Sequence, residues 1–344
     1  MSRRWYPAPG GVAARQFAAP ANILIDGRRS PSAGIRLCYP DVPESRRRLA
    51  ALTAELQIDH LVLCVQDLDA ARGGYAGLGF TLTPRARHPF GTANSLVQLE
   101  DRSFLELLAV DDPRRITPPA PGAFSFADFN RRFLTLGQGM SMLVFRSGDA
   151  RADQARFAAR GLQTYEPFHF SRQATLPDGD SVTVGFTLAF LTDPEMPGIA
   201  FFTCQQHAPE HFWKAQYQQH HNGAVGVREV VMLAPEPARH RDFWSRVTPA
   251  DQVYVQPGAL TVRAGSARIS MLTPARYRDR FPGDRPAAEP ATPRFAAFSV
   301  VVPQLASVID RLTEYGVAHR HFGNRCQVPA DAAHGVAVEF VQGE

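Results

Sequence analysis

The chain has 344 residues, 44% of them hydrophobic, and a net charge of +4. It is too long for one small domain and apolar enough for a sizeable core, yet no run approaches the roughly 18 apolar residues that a membrane span needs. Residues 1–48 hold nine Arg against three acidic residues, a net of +6 that leaves −2 for the rest and argues against a nucleic-acid-binding face on the folded part.

Residues 1–42 are rich in Arg, Pro, Gly and Ala and lack a sustained period. That composition reads as a disordered tail or an upstream start, and without an apolar h-region it is no secretory signal. Residues 43–56 (PESRRRLAALTAEL) suggest a short helix with acid near its start. The cysteines Cys38, Cys64, Cys204 and Cys326 are scattered with no CxxC pair. That spacing predicts reduced thiols and a cytoplasmic protein, not a disulfide frame.

From residue 57 one pattern recurs four times: a strand-like run, a helix of about a dozen residues, then three more strand-like runs. The first copy opens on QIDHLVLCV (57–65), continues with a helix over 67–78 closed by Gly79, and ends on FLELLAV (104–110). The second opens on GMSMLVFRS (139–147), with a helix over 149–161 and strands near 163–171, 181–191 and 198–204. The third opens at 224–234, with a helix over 235–247 and strands to 272. The fourth opens on RFAAFSVVV (294–302), with a helix over 303–316 and a last strand over 335–341. Pro-rich stretches at 111–122 and 282–293 separate the copies within each pair, and the His- and Gln-rich segment 207–223 joins the pairs.

A βαβββ unit leaves one face of a small curved sheet apolar, and two units side by side close that sheet around a cavity with helices outside. The expectation is an α+β chain of four βαβββ modules paired into two domains. An N-terminal extension over 1–55 precedes a first domain over 56–222 and a second, more degenerate one over 223–344.

Strand alternation puts Ile58, His60 and Val62 on one face of the first run and Leu61, Leu63 and Val65 on the other, under the helix. Phe104, Glu106 and Leu108 share a face, as do Thr92, Asn94, Leu96 and Gln98. Turned inward together, they line a concave sheet with a few convergent polar groups, as a ligand site requires. Glu106, flanked by Phe104, Leu105, Leu107 and Leu108, is costly to bury unless paired or coordinated. His60 has the plainer alternative of a half-buried strand histidine bonded to a backbone carbonyl.

The segments IDHLVL, HPFGTAN and FLEL, followed by HHNGAVGV, resemble the vicinal-oxygen-chelate superfamily, which includes glyoxalase I, extradiol dioxygenases and fosfomycin-resistance proteins, and in particular its glyoxalase-like-domain branch. The resemblance covers residues 57–230 and extends to 225–344 through the repeated unit alone. It implies two sheets of paired modules and a divalent metal (Zn, Fe, Mn, Ni or Co) held by His60 and Glu106. The second module departs from the pattern, offering Met140 or Ser141 and Phe201 where ligands are expected. A third ligand is therefore sought among His88, His169, His207 and His221. His88 and His221 rank first because they lie in the family-like segments, and His221 completes the expected metal set.

Glu106 and His88 are the expected catalytic acid–base groups, and Asn94, Gln98 and Arg172 the expected substrate contacts. Glu339 takes a family-like place in the fourth module, but Glu229 stands where the third would offer His, so that half reads as a degenerate copy or as the contributor to a homodimer. No GxGxxG, P-loop, GxSxG or HExxH occurs. The function expected is a small-molecule metalloenzyme: a lyase, isomerase or dioxygenase that stabilises an anionic, oxygen-chelated intermediate. The alternative is a metal-free binding or sequestering protein of the resistance type.

Overall fold

The computed structural model describes residues 55–175, 181–284 and 290–343. The basic leading segment lies outside them, as does the helix read over 43–56 except its last two residues, which are not helical. The first module is β1 (Ile58–Cys64), α1 (Leu68–Gly77), β2 (Ala86–Arg87), β3 (Thr92–Gln98) and β4 (Phe104–Val110). A helix α2 (Phe126–Phe133) then leads to the second module: β5 (Gly139–Ser147), α3 (Ala150–Ala159), β6 (Gln163–Thr164), β7 (Phe168–Thr175), β8 (Ser181–Thr192) and β9 (Ala200–Gln206). After the short α4 (Pro209–Phe212) comes the third: β10 (Gly226–Leu233), α5 (Arg241–Val247), β11 (Val253–Gln256), β12 (Ala259–Ala264) and β13 (Ala267–Leu272), followed by α6 (Pro274–Arg280). The fourth is β14 (Arg294–Val302), α7 (Leu305–Glu314), β15 (Arg320–Phe322), β16 (Arg325–Val328) and β17 (Ala337–Gln342).

Local chemistry explains the recurring strand-to-helix step. Asp67 and Asp149 each end a strand-to-helix turn and accept two of the free amides of the following first turn, at 2.8–3.1 Å. Besides the single-turn α4, two helices fall outside the sequence expectation. Helix α2 follows the Pro-rich 111–122 segment, is capped by Ser125 and is held by Asp128 pairing with Arg131 and Arg132. Helix α6 starts on Pro274 behind the Thr273 cap. Both are only two turns long, too short to raise a readable period.

Two sheets result. The first runs β2-β3-β4-β1-β5-β9-β8-β6, with β7 paired to β8; the second runs β11-β12-β13-β10-β14-β17-β16-β15. In each, two modules join through an antiparallel pair of opening strands, β1 with β5 and β10 with β14. Each opening strand pairs in parallel with the last strand of its own module.

The main core packs the helix-covered faces of both sheets together. Leu61, Leu63, Leu105 and Phe145 share it with Val230, Trp244, Val300 and Phe340. A separate aromatic cluster fills the concave face of the first sheet, and a third, around Tyr277 and Phe281, that of the second. The expected sorting of faces holds for His60 and Val62 on one side and Leu61 and Leu63 on the other. Ile58 is a correction: it lies in the main core, not on the cavity face. The β1–β5 register shifts between Ile58 and His60, and a bulge of that kind resets the alternation.

Candidate functional site

The concave face of the first sheet encloses about 50 Å³ of free space lined by His60, His88, Asn94, Glu106, Arg172 and Cys204. Seven phenylalanines wall it: Phe90, Phe104, Phe126, Phe170, Phe186, Phe202 and Phe212. Strand β4 brings Glu106, β3 brings Asn94, β1 brings His60, and the turn before β3 brings His88. Helix α2 contributes Phe126, and the end of α4 and the residue after it close over Phe104 with Phe212 and Trp213.

The polar groups form one connected set. Asn94 Nδ2 donates to Glu106 Oε1 at 2.6 Å and also meets His88 Nε2 at 3.2 Å. A carboxylate only accepts, so the Asn94 amide must face it with its nitrogen. With His88 Nε2 accepting, the ring proton sits on Nδ1 and donates to Thr92 Oγ1 at 2.8 Å. Burial, with Arg172 nearby and only partly opposed by Glu106, pulls the His88 pKa down to about 4, so the ring is neutral near pH 7. Asn94 Oδ1 is left as a buried acceptor with no partner.

His60 stacks on Phe104, with ring centroids 4.2 Å apart. Its Nδ1–H donates to Asp59 Oδ2 at 2.7 Å, leaving Nε2 3.7 Å from Glu106 Oε2. A carboxylate behind one ring nitrogen fixes the tautomer and the ring plane. Asp59 is itself only 1% exposed. It was missed in the sequence, where the one usable signal was an acid inside the apolar run IDHLVL.

The other expected residues are placed as follows. Arg172, on β7, lines the cavity, and its guanidinium makes no ion pair among the described residues; burial lowers its pKa while Glu106 opposes that. Gln98 spends both ends of its amide on backbone, donating to Phe212 O at 2.8 Å and accepting from Lys214 N at 3.1 Å, so it ties down the covering segment. His221 is exposed and outside the cavity. Its neighbour His220 accepts from Thr81 N and donates to Gln98 O. His169 and His207 both bond Thr187 Oγ1, also outside the cavity. Cys204 lines the cavity, but burial, together with Asp59 and Glu106, pushes its thiol well up, which makes it a poor nucleophile.

The expected set of His60, Glu106 and His221 is not brought together. Strand register also shifts the departures in the second module. Pairing places Met142 and Phe202, instead of Met140 or Ser141 and Phe201, where His60 and Glu106 stand in the first. Among the described residues no three His, Cys, Asp or Glu side chains converge as a metal cage. His88 Nε2 and Glu106 Oε1, 3.9 Å apart, are both occupied by the Asn94 amide. Only His60 Nε2 and Glu106 Oε2 face each other, one donor short of the three protein ligands that open catalytic centres keep. The donor set does not fit a divalent metal centre.

In the second sheet the places corresponding to His60 and Glu106 hold Glu229 and Ser270 in the third module, and Ala297 and Glu339 in the fourth. Arg280, from α6, fills that concave face. It donates to both Glu229 oxygens at 2.7 and 2.8 Å and to Glu339 Oε2 at 2.8 Å. Arg268 and Arg325 complete the ion pairs. Burial alone would raise Glu229, but Arg280 and Arg268 outweigh it and hold its pKa at about 2.

Beside the first cavity lies a wider cleft of about 420 Å³ that shares Asn94, Leu96, Arg172 and Phe212 with it.

A family model described as "Glyoxalase-like domain" matches residues 58–248. No curated protein matches the chain. Among solved structures, a hypothetical protein from Staphylococcus aureus superposes with a TM-score of 0.58 at 12% identity, covering 84% of this chain and 100% of the other. A Mn(II)-bound glyoxalase from Novosphingobium aromaticivorans gives 0.49 at 14% identity, covering 84% and 82%. A mutant 4-hydroxymandelate synthase from Streptomyces coelicolor gives 0.46 at 12% identity, covering 84% and 92%. At such identities likeness speaks to the fold alone.

Proposed function

The chain belongs to the glyoxalase-like domain family, and from that premise we propose that it is an enzyme that moves a proton on a small anionic substrate, with Glu106 as the base. The observation that carries this reading is a buried carboxylate in an aromatic cavity. Asn94 holds one of its oxygens at 2.6 Å, and the other faces His60 Nε2 at 3.7 Å.

In this reading Arg172 binds the substrate's anionic group, and Asn94 Oδ1 accepts from a substrate hydroxyl. Glu106 takes the proton from the carbon beside the carbonyl, and the electrons of the broken C–H bond move onto the carbonyl oxygen. The enolate that forms is held beside the Arg172 guanidinium in a site from which the phenylalanines exclude water, where a fixed charge is worth more than in bulk solvent. The protonated Glu106 returns the proton to the same carbon or to its neighbour. His88 stays neutral and holds Asn94 in register through its Nε2.

A second reading, metal-free binding or sequestration, is favoured by the same incomplete donor set. The test is proton NMR in D₂O on a panel of 2-hydroxy and 2-oxo acids. Loss of the carbon-bound proton signal with wild type, slowed roughly 10²- to 10⁴-fold in Glu106→Gln, supports the enzyme. Thermal stabilisation by an acid that neither exchanges nor turns over supports the binder.

A further inference from the structure

The free space around Glu106 and the cleft beside it differ in size and charge, and together they describe a two-part ligand. An apolar cavity that admits a benzene ring measures about 150 Å³, against about 50 Å³ here. At roughly 10–15 Å³ for each water-sized group, the cavity takes about four such groups, so it admits a head group and no ring. The head must satisfy two partners, one buried and one half-buried. Asn94 Oδ1 needs a donor. Arg172, without an ion pair among the described residues, needs an anion. A 2-hydroxy carboxylate meets both demands.

The rest of such a molecule leaves past Arg172 into the cleft of about 420 Å³. Arg85 and Arg87 stand along that cleft beside Arg172, and none of its described lining residues is acidic. Asp111 is the acid shared by Arg85 and Arg87, and the Arg85 pair with Asp69 is longer, at 3.6 Å. The two guanidiniums are thereby oriented, and among the described residues the cleft keeps a positive balance.

We infer that the ligand is an elongated dianion: a 2-hydroxy carboxylate head in the Glu106 cavity and a second anionic group, phosphate or carboxylate, in the Arg85–Arg87 cleft. This rests on the Glu106 cavity being the substrate site, and its test is kept independent of the chemistry there.

Three 2-hydroxy acids differing only beyond the head serve as probes: glycerate, malate and 3-phosphoglycerate. Each is titrated calorimetrically into the full chain at low salt. Malate, 3-phosphoglycerate or both should bind at least about tenfold tighter than glycerate, and the tighter of the two identifies the tail. The advantage should shrink with added salt. The double variant Arg85→Gln/Arg87→Gln should bring the charged-tail acids down towards glycerate. Arg87→Gln alone, at a side chain 72% exposed, should do part of this with an unchanged melting temperature, so a misfolded double variant does not hide the answer. Glu106→Gln should keep the preference for a charged tail even where proton exchange is lost, which separates failure of the base from failure of the cleft. Equal affinity for all three acids, no binding of either charged-tail acid, or a preference that survives the double variant overturns the inference.

Discussion

Glu106 and the side chains touching it decide what the cavity does. His88 supplies a stability signature that needs no substrate. Its folded pKa of about 4 lies below the ordinary 6.5, so between those values the unfolded chain binds more protons than the native one and stability rises with pH. The contribution is complete above about pH 6.5 and is lost as pH falls towards 4, on the order of 3 kcal/mol over that window. Melting temperature against pH should therefore fall more steeply from pH 6.5 to 4 in wild type than in His88→Gln; parallel curves would contradict the buried neutral imidazole. His60, Glu106, His88 and Asn94 were legible as cavity residues, because strand alternation and the HPFGTAN turn point them inward, whereas Arg172 after FHFS read more readily as an exposed arginine. Asp59 was not, because a bulge breaks the alternation at that residue. The unanswered Asn94 oxygen was equally hidden, since which end of an amide faces a carboxylate is a matter of contact geometry.

At the scale of strands and helices, the four βαβββ modules were readable because each repeats one period change, from two to 3.6, in the first two behind an Asp cap. Helices α2 and α6 were not, being short and flanked by Pro. Yet each supplies the plug or wall of a concave face: Phe126 in the first sheet, Arg280 in the second. One contact between modules fixes how the second and fourth meet. Gly139 at the start of β5 and Gly335 before β17 cross backbone to backbone, both with positive φ (141° and 92°). A Cβ on Gly335 would stand 2.0 Å from Gln138 O, closer than any real contact. Gly335→Ala should cost about 2 kcal/mol or more, read as a lower denaturation midpoint, while Ala at the open and exposed Gly73 should not. Equal midpoints for the two variants would mean that the crossing is looser than drawn.

At the scale of the whole molecule, two sheets of the same topology have opposite interiors. The first keeps a carboxylate facing free space; the second is closed by the Arg280 guanidinium between Glu229 and Glu339. Removing one partner of a buried ion network leaves the others uncompensated, whereas removing all of them is tolerated far better. Arg280→Met should therefore lower stability by about 3–5 kcal/mol. Adding Glu229→Gln and Glu339→Gln should recover much of that loss in a urea titration; a triple variant no better than the single one would refute the plug. The plug was not legible, since Arg280 lies in a helix with no visible period and its partners come from strands 51 and 59 residues away in sequence.

The claim on which the account turns is that Glu106 works as a base in a cavity that lacks a three-ligand metal set. The most direct measurement is the rate at which the wild-type protein exchanges the carbon-bound proton of its best 2-hydroxy or 2-oxo acid for deuterium, with and without a chelator and beside Glu106→Gln. The account predicts a rate indifferent to chelator and roughly 10²- to 10⁴-fold lower in the variant. A rate abolished by chelator and restored by stoichiometric divalent metal, or one that survives in Glu106→Gln, would contradict it.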